Sequence, residues 1–306
     1  MDYQCIIVGG GIAGLQAAIQ LGRYMHRVLV IDSADGRSTL CHSYHNILGY
    51  PNGVSGQYLR EIGKSHAEEL GIEFLQDKVV STKELDEGFQ IMTTTGATFM
   101  TKRILLATGV MDRIPPLPEL YPCLGISVYV CPDCDGYEVK DKKTIIIGSG
   151  RIGVGMAKTL SYWTKELVYI NHEQQPIDKN DVQWLKDHHV DYIDNPIKQV
   201  LATTSQLEGV VLQNGETIKG QYGFIAFGGN EVRSQLAKQL GVELLENKHM
   251  LVDPRSKMTN VQGVWAAGDV VAHAEQVTIA MGEGSQAGIW IHKDILKDLS
   301  IGTHPH

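Results

Sequence analysis

Cys131 and Cys134 stand two residues apart in YVCPDCDGYEV, with Asp135 directly behind the second sulfur. A C-x-x-C pair can hold half of a zinc site, staple the chain, or open and close as a redox couple. Structural zinc takes four Cys or His ligands, and its usual spacing brings a second such pair; none follows here. The rival cluster is CHSYH, which offers Cys41, His42 and His45, and zinc would require that loop to meet the pair from another domain. As a staple the pair is poor, because closing so short a loop removes little chain entropy. As a reversible couple it is well spaced: the thiolate is the nucleophile, and C-x-x-C settings commonly lower its pKa. The sequence therefore favours redox chemistry and no metal. Asp135 is the candidate acid/base for the thiol proton, against the plainer reading of a turn acid. Asp133, inside the pair, should raise the thiol pKa values and repel acidic partner surfaces. Cys5 lies in an expected core strand and Cys123 near a proline-rich stretch, so both read as packing. Trp163, Trp184, Trp265 and Trp290 read as core or interface aromatics.

Two glycine-patterned segments must carry such a pair. QCIIVGG reads as a short apolar strand that runs into a helix, and Gly9, Gly11 and Gly14 form G-x-G-x-x-G at the junction. The first glycine allows the turn, the second clears space for pyrophosphate, and the third lets helix and strand pack closely. RVLVID follows and ends at Asp32, near the spacing of an acid that binds a ribose hydroxyl. The second copy, KKTIIIGSGRIGVGMAKTL, sets Gly148, Gly150 and Gly153 in the same pattern before the strand ELVYIN. Two dinucleotide folds imply two nucleotides, such as a flavin and a nicotinamide donor, unless one copy is a relic that binds nothing. Each copy is followed by strands and a hairpin, the second turning at Asn214-Gly215. RIPPLPELYP is expected to break regular structure and to mark a hinge.

At 306 residues the chain exceeds one comfortable core, so two domains are expected. A formal charge of -8 disfavours nucleic acid or an acidic membrane as partner. No apolar run approaches the roughly 20 residues that span a bilayer. The start, MDYQCIIVGG, has no basic leader, and five cysteines are an odd number for a secreted framework. A cytoplasmic protein is expected.

In order along the chain, VGGGIAGLQAA, HNILGYPNGVSG, TKRILLATG, CPDCDG, IIIGSGRIG and VWAAGDV resemble the pyridine-nucleotide disulfide oxidoreductases, and within them the low-molecular-weight thioredoxin reductases. CHSYHNILGYPNGVSG is closer to a thioredoxin-reductase-like branch that also contains small-molecule dithiol oxidases. The resemblance implies an α/β fold with two Rossmann-like domains, the second inserted into the first. Residues 1–114 and 244–306 would form an FAD domain, and 115–243 an NAD(P)-binding-like domain carrying the couple. It implies that Asp32 meets the adenosine ribose, that Asn46, Thr108 and Gly109 lie along the FAD, that Asp269 contacts its ribityl-pyrophosphate portion, and that Gln276 sits by the isoalloxazine. Asp269 could equally be an ordinary helix cap. Cys134 would be the sulfur nearest the flavin, Cys131 would attack the partner disulfide, and a homodimer would be the assembly. The related dithiol oxidases often carry His where Asp135 stands, which favours the reductase direction.

The chain departs from its family at the donor site. NADPH-dependent relatives carry paired arginines after the second strand of the inserted domain, where a charged fork meets the 2′-phosphate. Here INHEQQP places His172 and Glu173 there. Glu173 would repel a phosphate and could accept from a free 2′-hydroxyl, so NADH is expected over NADPH. Reduced ferredoxin or flavodoxin is the alternative donor, although the intact glycine pattern argues for a nucleotide. Three functions follow: a reductase for thioredoxin or a similar disulfide, a dithiol oxidase using oxygen, or a non-enzymatic flavin-binding redox sensor.

Overall fold

The computed structural model describes residues 2–272 and 274–299. Over these residues the chain forms two compact units, one of Met1–Thr39, Gln57–Met111 and Glu231–His306, the other of Leu40–Gly56 and Asp112–Asn230.

The first unit is built on a five-stranded parallel sheet ordered Val264–Ala266, Ile104–Leu106, Cys5–Val8, Val28–Asp32, Glu73–Gln76. Cys5–Val8 is apolar at every position because both of its faces are covered. Side chains alternate across a strand. Ile6 and Val8 thus join a core with Phe89 and Ile91 of the antiparallel sheet Val79–Leu85, Gly88–Thr93, Thr98–Thr101. Cys5 and Ile7 face the other way, toward Ala17 and Leu21 of the helix Ile12–Arg23 and toward Ala287 and Ile291 of the helix Val277–Asp298. Those helices pack backbone to backbone: a Cβ on Gly284 would lie 2.2 Å from the Ala13 carbonyl oxygen.

The second unit repeats the plan. Its parallel sheet runs Asp191–Ile193, Leu167–Asn171, Thr144–Gly148, Tyr222–Ala226, Val128–Tyr129. Ile145, Ile147 and Ile170 pack on the antiparallel sheet Ile197–Thr203, Gln206–Leu212, Thr217–Lys219. Ile146, Tyr169 and Phe224 pack with Val154 and Ala157 of the helix Gly150–Leu160. Cys5 and Cys123 are fully buried in the two cores.

The packing departs from the expected division at three stretches, of which the shortest, residues 112–114, falls in the second unit. Residues 40–56 fold with the second unit. The Tyr44–Val54 bridge closes this stretch into a loop, the His42 N–H donates to the Leu124 carbonyl, and Leu40 rests on that unit's core. Residues 231–243 fold with the first unit, where Leu236, Ala237, Leu240 and Val242 fill the core around Ile6. The proline-rich stretch is not wholly irregular: Pro118–Cys123 forms a 3-10 helix, with Pro118 in the first turn, where a missing N–H costs nothing. Among the described residues no helix is long and apolar enough to cross a membrane.

Candidate active site

Cys131 precedes the single helical turn Pro132–Asp135, which carries Cys134 and Asp135. The Cys134 and Asp135 N–H groups both turn back on the Cys131 carbonyl, at 3.3 and 3.0 Å, so the local backbone sets the two sulfurs side by side. Both cysteines are free thiols, partly exposed. The Cys134 S–H donates to Cys131, and this holds the Cys131 thiol below its ordinary range against burial and the charges of Asp135 and Asp133. The same bond, with burial, pushes Cys134 far up. The pair is thus asymmetric: the Cys131 thiol gives up its proton more readily than the Cys134 thiol.

Asp135 is nearly buried. Burial, then the charge of Glu138, push its carboxyl up to about 7. A carboxyl in that range can give and take a proton near neutrality, which a turn acid at the surface cannot. The loop 40–56 supplies two further neighbours. Burial, then the Asp135 charge, push the Cys41 thiol up to about 12, and His45 Nδ1 lies 4.0 Å from Asp135 Oδ1. His42 is exposed and reaches the Tyr121 carbonyl through Nε2. Among the described residues no three His, Cys, Asp or Glu side chains converge as metal ligands.

The glycine turn of the first unit has the form of an anion cradle. Gly9 takes φ +107°, and a Cβ there would strike the Ala107 carbonyl oxygen at 2.3 Å. A Cβ on Gly14 would lie 1.9 Å from the Gly9 carbonyl oxygen. Gly11, which precedes the twelve-residue helix with no side-chain cap, would meet nothing within 4 Å. Open space at an uncapped helix N-terminus fits a pyrophosphate. Asp32 ends the next strand. Its Oδ1 accepts from the Gly10 N–H at 2.9 Å and its Oδ2 from Arg60 Nη2 at 2.6 Å, while Arg60 Nη1 also donates to the Gly10 carbonyl. Thr108 Oγ1 donates to the Arg233 carbonyl, and Gly109 takes φ +69°. Asp269 accepts from Arg37 Nη1 at 2.9 Å, and Glu275 binds the same guanidinium at 2.6 Å. Gln276 caps the last helix by position, with no side-chain bond. Asn46 is exposed and lies in the stretch that folds with the second unit.

The turn of the second unit keeps the glycines and fills the space. Gly150 takes φ +49°, and its Cβ direction points at Gln175 Cβ, 3.0 Å away, and at the Pro176 carbonyl, 3.6 Å away. Asn171, at the end of the second strand, accepts from the Gly150 N–H through Oδ1 at 2.9 Å, and its Nδ2 donates to the Gln175 carbonyl at 2.8 Å. A single amide thus ties the turn to the segment lying over it. Gly148 packs against the Ala226 carbonyl, and a Cβ on Gly153 would collide with the Tyr169 ring at 2.1 Å. The Tyr169 hydroxyl donates to the Gly150 carbonyl at 2.7 Å. Glu173 is bound by Arg113. His172 Nδ1 accepts from the Ile197 N–H at 2.9 Å, and burial holds its pKa down, so this ring is a neutral acceptor. Sequence reasoning missed Arg60, Arg113 and the covering segment. Only Gln-Pro in INHEQQP hinted at a stiff turn after the strand.

The family model described as pyridine nucleotide-disulphide oxidoreductase matches residues 3–284. A thioredoxin reductase of Treponema pallidum is 29% identical over 296 residues, covering 94% of this chain and 95% of the relative. A 34.2 kDa protein in the rubredoxin operon of Clostridium pasteurianum is 26% identical over 304 residues, covering 95% and 96%. The solved thioredoxin reductase of Streptococcus pyogenes superposes with a TM-score of 0.84 at 23% identity, covering 97% of this chain and 98% of that one, and shares the fold.

Proposed function

Because the chain belongs to the pyridine nucleotide-disulphide oxidoreductases, we propose that it moves electron pairs through bound FAD and the Cys131–Cys134 couple to a disulfide on a thioredoxin-like protein or a small molecule. The observation that carries this reading is the asymmetric dithiol beside a carboxyl that titrates near neutrality. The Cys131 thiolate attacks the partner disulfide, forming a mixed disulfide and releasing one partner thiolate. The Cys134 sulfur then attacks Cys131, closes the internal disulfide and releases the second thiolate. Two electrons leave the couple and reduce one partner disulfide. Asp135 takes the Cys134 proton as that sulfur becomes nucleophilic, and returns it when the couple is reopened. FAD, when bound, supplies the two-electron reduction that reopens it. The open cradle at Gly11, with Asp32, Thr108, Gly109, Asp269 and Gln276 assigned to the same ligand, is where this chain would hold it. A homodimer in the cytoplasm is the expected setting.

For the donor, Glu173 and the neutral His172 favour NADH over NADPH, because neither offers positive charge to a 2′-phosphate. The segment over Gly150 supports a second reading, in which an electron-carrier protein replaces nicotinamide. The rubredoxin-operon relative fits that reading. Anaerobic stopped-flow bleaching of the flavin with NADH, NADPH and a reduced carrier protein separates them. Rapid bleaching by NADPH would contradict both. Turnover of disulfides should fall at least 100-fold in Cys134→Ser; unchanged turnover would remove the couple from the mechanism and favour a sensor. Peroxide produced from added dithiols would instead identify a dithiol oxidase.

A further inference from the structure

We infer that His45 is a positioning residue for Asp135, holding the carboxyl and carrying its proton between the buried couple and solvent. The inference rests on the role proposed for Asp135 and adds a residue to it.

His45 lies in the loop 40–56, which is folded onto the unit that carries the couple. Its Nδ1 is buried and has no hydrogen-bond partner among the described residues. That nitrogen is 4.0 Å from Asp135 Oδ1. Burying an unpaired ring nitrogen is costly, so the arrangement calls for a partner. An approach of about 1 Å by either side chain would make the hydrogen bond. The other nitrogen, Nε2, is 3.1 Å from Ser43 Oγ, and about a quarter of the side chain is exposed. The loop packs closely around the ring. Gly53, at φ +82°, turns the loop tightly against it: a Cβ there would lie 2.2 Å from Ser43 Oγ and 3.1 Å from the imidazole. The Tyr44–Val54 bridge fixes both arms of that turn. The path has one gap, the 4.0 Å between Asp135 and Nδ1, which that approach closes. A proton leaving Asp135 goes to Nδ1, and the proton on Nε2 passes to the Ser43 hydroxyl and on to water. The groups facing the Asp135 carboxyl are Cys41, Tyr129, Cys131, Cys134, Glu138 and His45. Of these, His45 alone can place a positive charge against it.

The test uses the full chain, reduced with dithiothreitol and freed of it anaerobically. Cys131 is alkylated with iodoacetamide between pH 5.5 and 9 and quantified by peptide mass. Because the Asp135 charge opposes the Cys131 thiolate, the wild-type rate should show an inflection near pH 7, where Asp135 titrates. Asp135→Asn should remove it. His45→Asn, which cannot become a cation, should move it up by about one pH unit. His45→Lys, which sets a fixed cation there, should move it down. An inflection unmoved in His45→Asn would overturn the inference. Where His45→Asn does not fold, as judged by its melt, an inflection unmoved in His45→Lys overturns it equally. Alkylation needs no donor, flavin or partner disulfide. A shifted inflection in a chain that turns over no disulfide would therefore sink the proposed function and leave His45 tied to Asp135.

Discussion

The two glycine turns of this chain have the same spelling and different interiors. In the first unit the second glycine, Gly11, opens onto free space. In the second unit its counterpart, Gly150, lies under Gln175 and Pro176. The strand-end residues differ in the same sense. Asp32 is an acid, held by the Gly10 N–H and Arg60. Asn171 is a neutral amide, and it spends its donor side on the covering segment and on Tyr192 and Asp194. An acid only accepts, so it can hold the turn yet cannot tie down a carbonyl, whereas an amide does both. The amide at the second strand end makes the bond to the covering segment, or strap, that the acid at the first cannot make. The helices register the change: the first starts just after its second glycine, and the other starts at it.

The largest expected effects come from filling one cradle and opening the other. Gly11→Val puts a side chain where nothing else lies, on extended backbone that valine accepts, since φ is -77° and ψ -170°. The variant should fold normally and retain less than about a tenth of the wild-type flavin, read from the ratio of absorbance at 450 and 280 nm. Full flavin content would remove the first cradle from cofactor binding. Gln175→Gly combined with Pro176→Gly loosens the strap without touching Asn171. If the strap limits nicotinamide entry, flavin bleaching by NADH should quicken by about tenfold or more. An unchanged rate would show that the covering segment does not control access, and would leave the donor to be set elsewhere.

Most of the architecture could be read from the sequence, because apolar strands such as QCIIVGG and KKTIIIGSG are unambiguous and their following helices are punctuated by glycine. The couple was legible for the same local reason: four consecutive residues set the geometry of both sulfurs and Asp135 follows them. What the sequence hid is long-range. That Asp135 titrates near neutrality depends on burial, and on Glu138. The place of His45 depends on the 40–56 loop folding back across some 80 residues of chain, and histidine in CHSYH looks like any loop polar residue. The strap was hidden for a subtler reason. G-x-G-x-x-G specifies where a backbone can be approached, not what approaches it: open space at Gly11 and a neighbouring segment at Gly150 go with the same missing side chain. At Gly153 the occupant is a third kind, the ring of Tyr169.

A smaller effect separates the two second-position glycines by stability alone. Gly150→Ala forces a side chain into φ +49° and toward Gln175 Cβ at 3.0 Å. It should destabilise the protein by about 1–2 kcal/mol in urea melts, with flavin content unchanged. Gly11→Ala should change stability by less than about 0.5 kcal/mol. Equal costs at the two positions would mean that the cradles do not differ in the way described.

The smallest effect is a pH dependence at the base of the strap. His172 follows Asn171 and accepts the Ile197 N–H on Nδ1, and burial holds its pKa below the ordinary value. An unfolded histidine takes up its proton near pH 6.5, while the folded one resists until the pH is lower. Between those values only the unfolded chain gains a proton, so stability near the strap falls as pH drops through about 6.5 and is complete above it. Once protonated, Nδ1 can no longer accept from Ile197, and the base of the strap loses an anchor. Because the ring is only half-buried, the loss should stay under about 1 kcal/mol. Ser33, which follows Asp32 in the first unit, has no such proton to gain. Hydrogen exchange at pH 5.5 and 7.5, corrected for intrinsic rates, should therefore show protection of residues 171–178 weakening by about threefold in acid. His172→Gln should abolish the difference. Weakening that persists in His172→Gln would mean that the strap has no titrating anchor of its own.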